Sequence, residues 1–296
     1  MTETLRCAGR DVARYTIDPD LARDRAPRPY LHPVRTLGGT PVTEVQPADH
    51  VHHLGVSVAI AHVATPGRKH NFWGGSTYVR DAGPRMLDNH GHQRHLGWIG
   101  RRPGELGHRL AWIGSDGTEP LHEERTVRAV PWNGHWALDL TSVLTNVTDA
   151  DVTLGSSATN GRAGAGYGGF FWRAPAACTG LAAFTADASG ESAVHGSRAP
   201  WVALAGTAPD GRDWTLVFRS ADGDPWFVRA AEYPGVGQAL AWADPVLLPP
   251  GSRLTRRVVT LVADGRLTAA DARAFAVRTR APAEMDTGTD RVTTGR

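Results

Sequence analysis

Apolar and polar residues alternate along much of this chain with a period of two, in short runs bounded by Gly, Pro, Asn and Asp. Alternation of this kind marks half-buried antiparallel strands, whose side chains point to opposite faces in turn. Leu54, Val56, Val58 and Ile60 make one run, and Trp136, Leu138 and Leu140 make another that continues to Leu144. Trp214, Leu216 and Phe218 make a third, and Leu254, Val258 and Val262 a fourth. Helical spacing is nearly absent. The segment LTAADARAF is the exception, with Thr268 placed as an N-cap and Asp271 in the first turn. The pattern predicts an all-β fold: a large antiparallel two-sheet sandwich with one short C-terminal helix.

No internal repeat and no linker rich in Pro and Ser separates the runs, so residues 1–280 are expected to form a single β-sandwich domain. The first twenty residues read as an extra edge strand or loop, and 281–296, rich in Thr, Gly and Asp, as a flexible tail. With 41% hydrophobic residues the chain is too apolar to be disordered, and its 34 Gly and 20 Pro suit a fold with many turns. A formal charge of only +2, with arginines scattered among acids, argues against nucleic acid as a partner. Cys7 and Cys178 form no CxxC pair, so neither a disulfide scaffold nor a thiolate metal site is expected. An N-terminus without an apolar run, and no stretch of membrane-spanning length, point to a cytoplasmic protein outside the membrane.

Nine of the 13 histidines fall between His32 and His95, a density that core packing does not require. At its centre stands Asp49-His50-Val51-His52-His53, followed directly by the strand-like LGVSVAIAHV. If extended backbone begins at His50, then His50 and His52 share one face of a strand and Asp49 and His53 take the other. Two imidazoles on one face can hold a divalent metal or flank a substrate ring, because histidine exchanges protons near neutral pH and binds cations when neutral. A solvated surface turn is the plain alternative. A tight metal site needs a third ligand, from His32, His62, His92, His95, Asp49 or Glu124.

Around the cluster lie segments suited to binding. RPYLHPVR offers His32 and Arg35, the latter for a carboxylate, phosphate or sugar hydroxyl, or simply for a surface acid. HNFWGG combines Asn71 with Trp73, the pairing that binds sugar hydroxyls and a sugar ring face, although Trp73 also suits a core. The glycine-rich run ending in GYGGFFWR lacks the helix and lysine of a phosphate loop, and is expected to bring Tyr167, Trp172 and Arg173 to a pocket. PWFVR, residues 225–229, repeats the theme of an aromatic with Arg. HEER supplies the carboxylate, with Glu123 and Glu124 facing opposite ways on a strand and Glu124 taken as the inward one. No GxSxG, HExxH or dinucleotide fingerprint is present.

The stretch RPYLHPVRTLGGTPVTEVQPADHVHHLGVSVA, with HNFWGG, GAGYGGFFWRAP and PWFVR, resembles the bacterial family labelled "methane oxygenase PmoA-like", over roughly residues 28 to 265. A membrane methane oxygenase subunit is built of transmembrane helices and this sequence holds none, so the resemblance does not imply that activity. It implies carbohydrate catabolism, including keto-sugars, because members sit beside sugar oxidoreductases. It also marks His50, His52, His53, Arg35, Asn71, Tyr167 and Arg173 as family-motif positions. The β-rich pattern is similar to the galactose mutarotase superfamily, in which His and a carboxylate do acid–base work on a pyranose.

These readings lead to an expected carbohydrate-active enzyme that hydrolyses, eliminates or epimerises at an activated sugar carbon. His50 or His52 is its base, with a second histidine (His53 among them) or Glu124 as acid, and one divalent metal on His50 and His52 is an alternative means of activation. Two rivals remain: an oxygenase holding Fe(II) on two His and a carboxylate, and a sugar-binding module without turnover.

Overall fold

Two large antiparallel sheets dominate the computed structural model, which describes residues 1–278; the tail expected over 281–296 lies outside them. A seven-stranded sheet runs, edge to edge, through Thr2–Cys7, Arg10–Thr16, Tyr30–Val34, Val56–Ala59, Gly169–Arg173, Gly235–Gln238 and Trp226–Arg229. An eight-stranded sheet runs through Thr179–Phe184, Trp201–Thr207, Asp213–Ser220, Arg253–Asp264, His135–Asn146, Leu121–Trp132, Glu105–Ile113 and His92–Arg102. Two small sheets sit beside them, one containing His62–Thr65 and Arg68–His70, the other pairing Thr77–Val79 with Gly83–Arg85. The N-terminal residues form a hairpin at the edge of the first sheet, two strands where one was expected.

The main core lies between the large sheets, and strand parity decides who enters it. Val56, Val58, Phe170 and Trp172 reach it from one side, and Trp136, Leu138, Trp214, Leu216 and Phe218 from the other. Trp172 meets Phe218 edge to face at 5.6 Å and donates its indole N–H to the carbonyl of Val42. Trp172 is therefore core and does not line the cavity described below, contrary to expectation.

The alternating runs are less half-buried than expected. The outward positions Ala137, Val217, Val259 and Leu261 are covered by the C-terminal helix Ala269–Arg278 through Ala272, Phe275 and Ala276. Thr268 caps that helix as expected, its Oγ1 accepting from Asp271 N at 3.2 Å while Asp271 accepts from Thr268 N at 2.9 Å. Val56–Ala59 is buried on both faces, with Ala59, Phe171, Phe227, Trp73 and Tyr233 forming a separate apolar cluster on the outer face of the seven-stranded sheet. A helical turn at Arg23–Arg25 and a four-residue helix at Glu191–Val194 carry too few residues to leave a periodic signal.

Glu123, not Glu124, points inward. Its carboxylate takes a fork of two 2.7 Å bonds from Arg125 and further bonds from Ser142 Oγ at 2.7 Å and Trp112 Nε1 at 2.9 Å. Such full satisfaction is what allows an ion pair to sit in a core. Glu124 is exposed and pairs with Arg253 at 2.8 Å.

Candidate functional site

The histidine cluster forms by turns and not by a strand. His50 N donates to Pro47 O at 2.9 Å and His53 N to His50 O at 2.8 Å, so two tight turns follow each other. A bridge between Val45 and Leu54 and a bond from Gln46 N to His53 O at 2.8 Å close the loop at its base. Pro47 and Asp49 favour turns over extended backbone. The expected sharing of a face by alternation therefore fails, and the turns bring three rings together. His50 stacks on His53 at 4.6 Å, His52 meets His53 at 4.8 Å, and His50 and His52 are 5.9 Å apart.

Three devices fix this loop against its neighbour, the segment from Asn71 to Ser76. The guanidinium of Arg28, 1% exposed, donates to the carbonyls of His52 at 3.0 Å and Trp73 at 3.1 Å. Burial, then the charge of Arg125, lower its pKa to about 9, which leaves it a cation at neutral pH. Asn71 Oδ1 accepts from the amides of Trp73 and Gly74 at 2.8 and 2.9 Å, an Asx turn that aims the indole. Gly75, at φ +65°, lets the His52 ring lie on the backbone, since a Cβ there would stand 2.9 Å from Cε1 and Nδ1 of that ring.

The loop forms one side of a cavity of about 380 Å³ over the outer face of the seven-stranded sheet. Trp73, Tyr167 and Phe227 make an aromatic wall, with ring centroids 4.7 Å apart for the first pair and 5.6 Å for the second. Ser157 Oγ lies 2.7 Å from Tyr167 OH and fixes the phenol. Tyr78, Arg162, Arg229, Glu232 and Tyr233 complete the polar lining. Cavities of small-molecule sites span about 300–1,000 Å³, so this one suits a ligand of the size of a sugar.

Electrostatics divide the three histidines. His50 Nδ1 donates to Asp49 Oδ2 at 2.7 Å, and this bond, more than the nearby charge of Arg173, holds the Asp49 carboxyl below its usual range. His52 falls to about 3, through burial and then the charges of Arg28, His50, His90 and Arg173. His53 is lowered strongly for the same leading reason, and among the described residues its Nδ1 has no hydrogen-bond partner. Both stay neutral at neutral pH. Burial also raises the Tyr233 phenol, which keeps its proton; its ring lies 4.8 Å from that of His50.

The structure thus gathers His50, His52, His53, Trp73 and Tyr167 around one cavity. Asn71 and Arg173 stand behind it, Asn71 in the turn just described and Arg173 fully buried over the Tyr233 ring at 4.5 Å. Glu124, Arg35 and His32 do not belong. Arg35 donates to Gly39 O from an exposed position, and His32 faces a second cavity of about 430 Å³ with Thr43, Glu44 and Cys178. Of the third-ligand candidates Asp49 stays at the cavity, bonded to His50, and the other histidines are scattered: His95 stacks on His108, His62 lies on the strand His62–Thr65, and His92 begins the edge strand His92–Arg102. Among the described residues no three His, Cys, Asp or Glu side chains are grouped as a metal site.

The sequence left Tyr78, Arg162, Glu232 and Tyr233 without notice. Phe227 and Arg229 were signalled by PWFVR, where parity sends Trp226 and Val228 into the core and the alternate residues to the cavity side.

Residues 3–276 match the family described as "Family of unknown function (DUF6807)", and the chain belongs to that family. The PmoA-like label suggested by the motifs is not part of that description. No curated protein sequence matches the chain. Among solved structures, a galactose mutarotase related enzyme from Lactobacillus acidophilus is similar at 10% identity and TM-score 0.42, over 90% of this chain and 100% of that one. A GH36 α-galactosidase from Geobacillus stearothermophilus is similar at 15% identity and TM-score 0.46, over 95% of this chain and 43% of that one. A Synechocystis protein is similar at 12% identity and TM-score 0.41, over 90% and 96%.

Proposed function

We propose that the cavity is the active site of an enzyme that moves a proton on a sugar or keto-sugar, with His50 as its base. The observation that carries the reading is the 2.7 Å bond from His50 Nδ1 to Asp49, at a cavity with an aromatic wall. A carboxylate on Nδ1 fixes the tautomer, leaves the Nε2 lone pair free to take a proton, and steadies the imidazolium that results. General-base action of this kind contributes about 10²–10⁴ in rate.

The other groups have roles that follow from their protonation. His52 and His53, neutral at working pH, do not compete for the proton; His52 serves as a hydrogen-bonding wall, and His53 packs against Trp73, Phe171 and Tyr233. Tyr233, which retains its proton and lies beside His50, serves in this reading as the donor to a carbonyl or leaving oxygen. Trp73, Tyr167 and Phe227 take the apolar face of the ring. A base and a protonated phenol together suit epimerisation or elimination at a carbon made acidic by a neighbouring carbonyl.

The test is to incubate the protein in D₂O with sugars, glycosides and their 3-keto derivatives and follow the carbon-bound protons by NMR. Deuterium incorporation or an eliminated product is expected, and loss of either in His50→Gln. An inert wild-type protein across that panel, or an undiminished His50→Gln variant, would overturn the reading.

A further inference from the structure

We infer that the ligand of this cavity carries a carboxylate, as a uronic or aldonic acid does, and that Arg229 receives it. This rests on the sugar reading above. Its basis is that three guanidinium groups around the cavity lie deeper than most of the acids near them.

Among the described residues Arg28 has no carboxylate partner: its hydrogen bonds go to Ser57 Oγ and to the main-chain oxygens of Arg25, Ala26, His52 and Trp73. Arg173 is fully buried and, among the described residues, none of its three guanidinium nitrogens has a hydrogen-bond partner; Glu44 stands 3.5 Å away and Asp49 3.7 Å away. Arg229 is in the cavity wall itself. Its guanidinium stacks on Phe227 at 4.6 Å, and its Nη1 donates to Val228 O at 2.9 Å and stands 3.1 Å from His195 Nδ1. Among the described residues Nε and Nη2 of Arg229 have no hydrogen-bond partner, and its nearest carboxylate, Glu191, is 3.6 Å away.

The acids that face Arg173 are wetter. The side chains of Asp49 and Glu44 are 54% and 30% exposed against 0% for Arg173, while Glu191 and Arg229 are alike at 25% and 21%. At the rim Arg162 and Glu232 are both exposed and offset each other. Charge near water is screened and buried charge is not, so the buried Arg28 and Arg173 leave the back of the cavity with an excess of positive charge. Arg28 and Arg173 act in the same sense on His52 and His53, adding to the lowering that burial causes. Arginine's planar fork matches a carboxylate with two parallel bonds, and stacking on Phe227 holds the fork in place beforehand. A neutral sugar would leave that fork and that field unanswered.

Titration calorimetry on the full chain tests this with D-glucuronate and D-galacturonate against D-glucose and D-galactose. The acids are expected to bind at least about tenfold tighter than their neutral parents at low salt, as a charge-assisted bond implies, with the margin shrinking as salt rises. Arg229→Gln, with its fold verified by melting temperature, is expected to erase most of the margin, whereas Arg35→Gln, away from the cavity, is expected to keep it. Equal or tighter binding of the neutral sugars would overturn the inference and leave the sugar site standing. Binding of neither class at millimolar concentration would overturn both.

Discussion

Arg28 donates to the carbonyl of His52 at 3.0 Å from a position that is 1% exposed, and the same guanidinium holds the carbonyl of Trp73 at 3.1 Å. One buried side chain thus joins the histidine loop to the aromatic wall. Arg28→Met keeps much of the volume but strands these buried acceptors, each worth about 1–3 kcal/mol when unpaired. The expected loss is at least about 3 kcal/mol, seen as a lower urea midpoint at unchanged slope. A loss under about 1 kcal/mol would show that the clamp does not hold the site together.

Gly75 and Gly83 have similar left-handed backbones, at φ +65° and +75°, but different surroundings. A Cβ at Gly75 meets the His52 ring at 2.9 Å, whereas one at Gly83 meets nothing within 4 Å. Gly83→Ala should cost only the backbone strain, about 1 kcal/mol. Gly75→Ala should cost clearly more and displace the His52 ring, with shifted imidazole signals in NMR. Equal costs for the two would mean that His52 is not seated on Gly75.

Acid should weaken the fold before most carboxylates titrate. His52, His62 and His108 are lowered to about 3, 4 and 2, and His53 strongly, all chiefly by burial. Because their folded pKa values lie below the unfolded value near 6.5, the unfolded chain takes up protons first. Stability is therefore full above about pH 6.5 and falls as pH drops toward the folded values. We expect at least about 3 kcal/mol to be lost between pH 7 and pH 5 by denaturant titration. A flat profile over that interval would show these imidazoles to be solvated.

Glu123 and Glu124 are adjacent and should behave oppositely. Glu123→Gln leaves Arg125 charged and buried without its partner, at an expected cost of about 3–5 kcal/mol. Glu124→Gln removes only an exposed pair and should change stability by less than about 1 kcal/mol, with turnover intact. Lost turnover in folded Glu124→Gln protein would restore this residue to the site.

The sheet class was legible because period-two alternation survives in strands such as Asp213–Ser220, and the helix because Thr268 and Asp271 spell its cap. The gathering of histidines was legible as density in sequence, but the geometry was not, since the turns after Pro47 depend on the bridge from Val45 to Leu54. Trp172 was misplaced because an aromatic beside glycines is chemically suited to a pocket, yet parity within the sheet decides its direction. Reading Phe171 as outward would have placed Trp172 in the core. Tyr233 left no trace because only packing against His53 and Arg173 gives it a role.

The three clustered histidines should separate by variant. His50 is at the cavity with one nitrogen on Asp49, so His50→Gln should lower turnover at least about 100-fold with little change in melting temperature. Asp49→Asn keeps a hydrogen bond but favours the wrong tautomer, and should fall between wild type and His50→Gln. His53 is packed among Phe171, Trp73 and Tyr233, so His53→Ala opens a void and should cost about 2–4 kcal/mol, with activity falling only as folded protein is lost. His52→Ala should weaken substrate binding more than turnover, because a side chain held near pKa 3 is a poor base at neutral pH. The measurement is rate, KM and melting temperature on the four proteins under one set of conditions. Should His52→Ala abolish turnover while His50→Gln retains it, the proton-transfer role would pass from the Asp49–His50 pair to the ring seated on Gly75.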